Sequence, residues 1–397
     1  MSYTVPIFEI LCKTYSTWTS LETYITSPEG GQIRCTGEGK YRVLRYTKGV
    51  SDFSVQHTKW MRSVVWDTER HVPVCVAPPK AEQKAPPETG VVYPLVQDYM
   101  DGMMINVFRT SEEPSGLQLA TRSQIGANGK FYSAKSFAEM FDEALSVMKF
   151  TRQDIGKWMG NETFASFLLQ HPDHRVVARC RSPHLWFIHS GSVSESGVVT
   201  INEDGSAFPE SIRLPMQALP ATQETTVVHT NPWFAPKDIN TWFTEICTAK
   251  GWFYQGVTFK DGKGNRWRMR NPNYLYLRSL RGSEATSVER FLRLRNESKV
   301  SEYLKHYSED RDVFWNFEQT LRNRTQEVFQ AYCDVHKSHT KKFEELPSEL
   351  KPCVFKLHAH YLTDLRPRSE KVYMKQVVEL VNNLPVYEQK RLLSASS

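Results

Sequence analysis

The sequence predicts an α+β chain: an antiparallel-sheet domain over residues 1–282, followed by an all-helical domain over 283–397. Three observations carry that prediction. Short alternating apolar stretches, broken by Gly and Pro, fill the first two thirds of the chain, as half-buried strands and turns require. No glycine follows Gly282, and from about Thr286 onward the apolar residues recur at helical intervals. A length of 397 residues is enough for two domains, each with its own core.

Taken in order, residues 7–25 carry apolar side chains at helix-like spacing, closed by Gly30 and Gly31. Residues 33–65 read as short strands and turns, and 78–87, rich in Pro, Lys and Ala, as a surface connection between strands. The stretch 91–108 reads as strand, tight turn and strand, with Asp101 and Gly102 as the turn. Over 136–148 the spacing predicts an amphipathic helix with Phe137, Met140, Phe141, Ala144 and Leu145 on one face. Residues 158–169 have no clear period, and 175–201 alternate with many β-branched side chains, as a strand does. A helix is expected over 236–250, then strands over 253–259 and 266–277. Arg281, Gly282 and Ser283 form the expected domain joint, with helices over 288–304, 313–337, 348–362 and 372–384 and a frayed tail over 394–397.

Composition excludes several classes. Apolar residues make up 40% and charged residues 24%, ordinary for a soluble globular protein. A net charge of +6 permits a polyanionic partner without requiring one. The seven cysteines are scattered, with no C-x-x-C pair, which fits a reducing intracellular environment. His358 and His360 flank Ala359 within a helical pattern and read as an ordinary helix pair rather than a metal site. The chain shows no basic-then-apolar leader and no apolar run of the ~20 residues that span a bilayer, so a soluble protein without membrane insertion is expected.

Chemistry enters through the order of several segments. Tyr99, Met100, Asp101 and Gly102 follow an apolar stretch. Ahead of them lie Tyr41-Arg42-Val43, Arg62-Ser63-Val64-Val65 and a strand and turn over 74–80. Behind them come Leu119-Ala120-Thr121-Arg122-Ser123, the stretch 167–177, Tyr254-Gln255-Gly256-Val257, and Arg266-Trp267-Arg268-Met269-Arg270 with Tyr274. In this order they resemble the motifs of the covalent nucleotidyltransferases, the superfamily of ATP-dependent ligases and capping enzymes, and within it the bacteriophage RNA ligase 1 family. The residues from Tyr99 stand at its K-x-D-G motif and 167–177 at its third motif. Those from Gln255 stand at its E-G-V-V, and those from Arg266 at its K-x-K followed by Tyr. The resemblance covers most of the chain. Segments 104–108, 120–123 and 131–132, with the helix holding Met140 and Phe141, are also similar to uncharacterised ligase-like proteins of large double-stranded DNA viruses. It implies an adenylation-type nucleotidyltransferase domain ahead of a helical one.

The departures from that pattern fall on the reactive positions. In the family a lysine amine attacks the α-phosphate of ATP. The resemblance puts Tyr99 there, a phenol of pKa about 10 that forms no phosphoramidate. Losing a covalent nucleophile lowers rates by roughly 10⁴- to 10⁶-fold. Leu168 stands for a ribose-binding Glu and Gln255 for the Glu that acts through the divalent metal, while Arg268 and Arg270 replace phosphate-binding lysines and keep their charge. Lys48, Lys130 and Lys135 lie on other segments and are not expected to substitute.

The resemblance therefore implies a pseudoenzyme with no catalytic residues and no metal ligands, acting as a structural or interaction protein. Its partners would be other virion or structural proteins, as in a minor capsid protein of a large DNA virus. A binder of RNA, DNA or nucleotide is the alternative, using Arg62, Arg122, Lys260, Arg266, Arg268 and Arg270 on phosphates. An active RNA ligase is the second alternative, and only that one calls for ATP and Mg²⁺ as cofactors. Arg122 reads equally as a phosphate contact or a surface strand residue. Arg268 and Arg270 share one strand face, either solvated or kept as a phosphate clamp. Across 260–281 basic residues interleave with Trp267, Tyr274 and Tyr276, whose spacing favours core packing over base stacking.

Overall fold

The structure, a computed structural model, describes residues 1–86, 95–113, 116–131, 133–217 and 236–394, with the backbone alone at 236–238. The chain forms two compact units, Met1–Leu277 and Arg278–Ser397. It is an α+β protein with antiparallel sheets in the first unit and helices in the second.

The first unit begins with β1 (Ser2–Val5), α1 (Ile7–Thr14) and α2 (Trp18–Thr26). The helical spacing over 7–25 is split in two because Thr17 caps α2, its hydroxyl accepting from the Ser20 amide at 3.2 Å. Next come β2 (Arg34–Thr36), β3 (Tyr41–Arg45), β4 (Val64–Asp67) and β5 (Val72–Val76), which form a four-stranded antiparallel sheet in that order. Then follow β6 (Leu95–Asp98), β7 (Met103–Arg109), β8 (Leu117–Ala120), α3 (Phe137–Val147), α4 (Arg152–Met159), β9 (Phe164–Gln170), β10 (His184–Val193), β11 (Val199–Asn202), α5 (Pro236–Lys250), β12 (Gly256–Lys260) and β13 (Arg266–Arg270). A six-stranded sheet runs β1-β11-β10-β9-β7-β8, and a three-stranded sheet runs β13-β12-β6.

Helix α3 takes its expected place. Ser136 and Glu139 form a capping box, and Phe137, Met140, Phe141, Ala144 and Leu145 are buried with Phe167 and Leu169 from β9. The ambiguous stretch 158–169 holds the end of α4 and most of β9. In 175–201 the strands are confined to β10 and β11, with a 3₁₀ turn at Pro172–His174 before them. Pro78 and Pro79 are buried, so the connection read as surface starts inside the unit.

Two expectations fail. No hairpin turns at Asp101 and Gly102: β6 pairs with β12, whereas β7 pairs with β8 and β9. Residues 99–102 instead carry the chain from one sheet to another. The alternating pattern fixes which face of a strand is buried but not which strand it pairs with. The part of that reading on 91–94 lies outside the described residues. The strand expected over 266–277 stops at Arg270. Asn271 accepts the Asn273 amide at 3.0 Å, and Pro272 opens helix α6 (Pro272–Arg281), so Tyr274 and Leu277 are buried at helical spacing.

Helix α6 carries the chain across the boundary at Leu277 and Arg278. Gly282, at φ 77°, closes it in the left-handed conformation that favours glycine. The second unit continues with α7 (Ser287–Asn296), α8 (Val300–His306), α9 (Arg311–His336), α10 (Lys351–His360), α11 (Met374–Asn383) and α12 (Val386–Ser394), with no strand among its described residues. The stretch expected as one helix over 288–304 breaks at Ser298, which sits at φ 59°. Helix α12, which follows Pro385, was not among the expected helices. Arg281 and Arg290 converge on Asp310 at 2.9 and 3.5 Å and tie the first turns of this unit together. Among the described residues, no helix is long and apolar enough to cross a membrane.

Candidate functional site

Three strands and the crossover bring together Tyr99, Leu168 and Gln255. The chain leaves β6 at Asp98, and the Tyr99 amide continues the ladder by donating to the Gly256 carbonyl at 2.8 Å. Gln255 precedes β12 on the neighbouring strand, and Leu168 lies in β9 opposite Met104. Gly256 allows the close approach of β12 to β13, since a Cβ there would lie 2.0 Å from the Met269 carbonyl oxygen. The result is a cavity of about 100 Å³ whose lining includes Tyr99, Leu168, Gln255, Thr258, Arg62 and Arg266.

Guanidiniums gather around the Tyr99 phenol. Arg268 donates from Nη1 to the Tyr99 hydroxyl at 2.7 Å, and its guanidinium lies 5.4 Å from the centre of the ring. Burial pushes the Tyr99 phenol up, but the guanidiniums of Arg268, Arg62 and Arg270 outweigh it and hold the group below its usual value. Nε and Nη1 of Arg266, Nε of Arg268 and Oε1 of Gln255 are buried without a hydrogen-bond partner in the structure. Such orphaned atoms are rare in folded proteins and mark a place that water or a small anion can fill.

Two carboxylates also line the cavity, Asp98, which sequence reasoning missed, and Asp101, which it read as a turn. Asp98 accepts from Lys250 Nζ at 2.8 and 3.0 Å, from the Tyr254 hydroxyl at 2.8 Å and from Gln217 Nε2 at 2.9 Å. Asp101 accepts from the backbone amides of Val177 and Ala178 at 2.8 and 2.9 Å. Asp101 therefore holds the segment after β9, and is more than a turn residue. Among the described residues no three His, Cys, Asp or Glu side chains gather closely enough to hold a metal ion. Lys250 is the lysine that sequence reasoning overlooked. It lies at the end of α5, and only the tertiary pairing of α5 with β6 brings it to Asp98. An ammonium that donates to both carboxylate oxygens has no lone pair to offer a phosphate.

The remaining basic positions lie elsewhere. Lys260 is 1% exposed and faces Glu203 at 3.4 Å, and burial lowers its amine to about 8 against the pull of that carboxylate. It is a core ion pair, closed to phosphates. Arg122 is exposed and donates to the Tyr46 carbonyl at 3.1 Å, with its guanidinium 4.9 Å from the Tyr46 ring centre. Arg270 lies 5.5 Å from the Tyr274 ring centre. Lys135 is engaged by Glu143 and Asp173 at 2.6 and 3.1 Å. Of the nitrogens on β13, those of Arg266 and Arg268 are the ones turned to the cavity and to Tyr99.

Chemically this arrangement can hold one small anion among guanidiniums. It offers no free amine. Its volume falls below the roughly 300–1,000 Å³ of pockets that enclose drug-sized ligands.

No family model and no curated protein matches the chain. Among solved structures it is similar to an archaeal ATP-dependent RNA ligase, form 1, at 10% identity and a TM-score of 0.38, over 77% of this chain and 82% of that one.

Proposed function

We propose that this chain is an RNA ligase-like pseudoenzyme that acts as a structural or interaction protein. The observation that carries the reading is the occupancy of the Tyr99 cavity. Where group transfer needs an amine and a nucleotide-sized space, a phenol is hydrogen-bonded to Arg268 beside a cavity of about 100 Å³. Lys250, the lysine that comes near, is spent on Asp98. The similarity of segments 104–108 and 120–123 to ligase-like proteins of large DNA viruses supports a more specific setting, a minor capsid component of the virion.

Incubating the purified protein with α-phosphate-labelled ATP and Mg²⁺ or Mn²⁺ tests the first part. The expected gel carries no labelled protein, and a labelled band ends the reading. Quantifying the chain in purified virions of its source tests the setting: fixed stoichiometric copies are expected, and absence from particles excludes it.

The retained guanidiniums favour a second reading, anion binding in the same cavity. Arg62 and Arg266 line a space the size of one tetrahedral anion, Arg268 lies on Tyr99 beside it, and buried donors of Arg266 and Arg268 are unsatisfied. Inorganic phosphate or sulfate is then expected to raise the melting temperature of the wild-type protein but not of Arg266→Ala.

A further inference from the structure

A cleft of about 680 Å³ lies wholly within the helical unit, far larger than the Tyr99 cavity. One wall is a face of α9. Arg311, Phe314, Trp315 and Glu318 stand at positions i, i+3, i+4 and i+7, so they share that face, and all four line the cleft. The opposite rim is the end of α11, with Asn382 and Asn383.

The wall is fixed in advance. Arg295 donates to Glu318 at 3.0 Å and to the Asn382 carboxamide oxygen at 2.8 Å, and Arg322 also donates to Glu318 at 2.9 Å. The acidic charge of Glu318 is thus neutralised twice. Ser298, also on the rim, is held at φ 59°, a strained conformation for a residue with a side chain. Against this fixed background three groups are unspent. The Trp315 indole is 61% exposed. The Arg311 guanidinium and the Asn383 carboxamide, both exposed, engage no other described residue.

Those three groups define a ligand. An open indole takes a planar ring by stacking. A carboxamide with a donor and an acceptor side by side matches the hydrogen-bonding edge of a nucleobase. An unpaired guanidinium takes a phosphate. Arg311 and Trp315 are about one turn apart, ~6 Å along the helix, the scale on which a 5′-phosphate stands off its base. We propose that this cleft binds a nucleotide, with the base on Trp315, its edge on Asn383 and its phosphate on Arg311. The same chemistry is presented by a free nucleoside monophosphate and by one nucleotide of a single-stranded RNA. The proposal stands independently of the Tyr99 cavity and requires no covalent step.

The test is equilibrium binding to the full-length protein of AMP, adenosine and a short oligoadenylate, with circular dichroism checking that each variant folds. Saturable AMP binding is expected, weakened on the order of ten-fold or more in Trp315→Ala and largely kept in Trp315→Phe. Arg311→Ala is expected to weaken AMP but not adenosine, a split that loss of structure alone does not produce. Tighter binding of the oligoadenylate than of AMP assigns the cleft to an RNA strand, and equal binding assigns it to free nucleotide. Absence of saturable binding by both AMP and oligoadenylate, or binding indifferent to both Trp315→Ala and Arg311→Ala, overturns the proposal.

Discussion

Tyr99 shows how one side chain can knit a cavity of unpaired donors together. Its hydroxyl accepts from Arg268 in a site where further guanidinium nitrogens already lack partners. Tyr99→Phe removes that acceptor and is expected to destabilise the protein by about 1–3 kcal/mol in urea titration. Tyr99→Lys is expected to leave the protein unable to take up AMP, because Leu168 and Gln255 carry no carboxylate and Lys250 remains on Asp98. Tyr99, Leu168 and Gln255, singled out in the sequence by a resemblance, line one cavity. The surroundings of Lys260 and Arg122 were not legible there. A basic residue on a strand does not reveal whether it meets solvent or, as at Lys260, a buried Glu203 from another segment.

His189 adds a pH dependence at the same scale. It is buried on β10, bonded to the Val76 carbonyl at 3.0 Å and to Ser166 at 3.2 Å. Burial first, then Arg266 and Lys260, push its imidazole well below the ordinary 6.5. The unfolded chain therefore binds a proton that the folded chain refuses. Stability is complete above about pH 6.5 and falls as pH drops below it, by up to about 1.4 kcal/mol per pH unit for this one group. Melting curves from pH 7.5 to 5 should show that loss, and His189→Gln should flatten it. An unchanged slope would mean that other groups control the acid limb.

At the scale of elements, the crossover 99–102 matters more than any single strand. Asp101 reads from sequence as half of a hairpin turn, yet its carboxylate secures the backbone of Val177 and Ala178. Asp101→Ala frees two amides and is expected to cost about 1–3 kcal/mol, with faster hydrogen exchange at those two residues. Unchanged exchange there would remove the assigned role. The same stretch shows why pairing was not legible: β6 alternates in burial and β7 buries four residues in a row, and each pairs with a strand distant in sequence, β12 and β9. Conversely, the helical spacing of Tyr274, Leu277 and Leu280 was present in the sequence, but the strand pattern of Arg266–Arg270 masked the break at Pro272.

For the whole molecule, the change of texture near Thr286 anticipated the switch from sheets to helices. The loss of glycine and the onset of helical spacing are global signals that one misread turn cannot erase. The chain divides at Leu277 and Arg278, inside α6, a few residues before the joint read at Arg281 to Ser283. We propose that residues 278–397 fold alone, and a fragment of that span is expected to give a helix-only circular dichroism spectrum with a cooperative melt. A disordered spectrum would show that it depends on the rest of the chain.

The proposed pseudoenzyme role depends on a cavity lined by the Tyr99 phenol, Arg62 and Arg266, with Arg268 on the phenol oxygen and no free amine among the described lining residues. Intact-mass spectrometry of the full-length protein, as purified and after incubation with ATP and a divalent metal, tests this most directly. One unmodified mass is predicted under both conditions. A species heavier by one adenylate, mapped to any side chain, would contradict it.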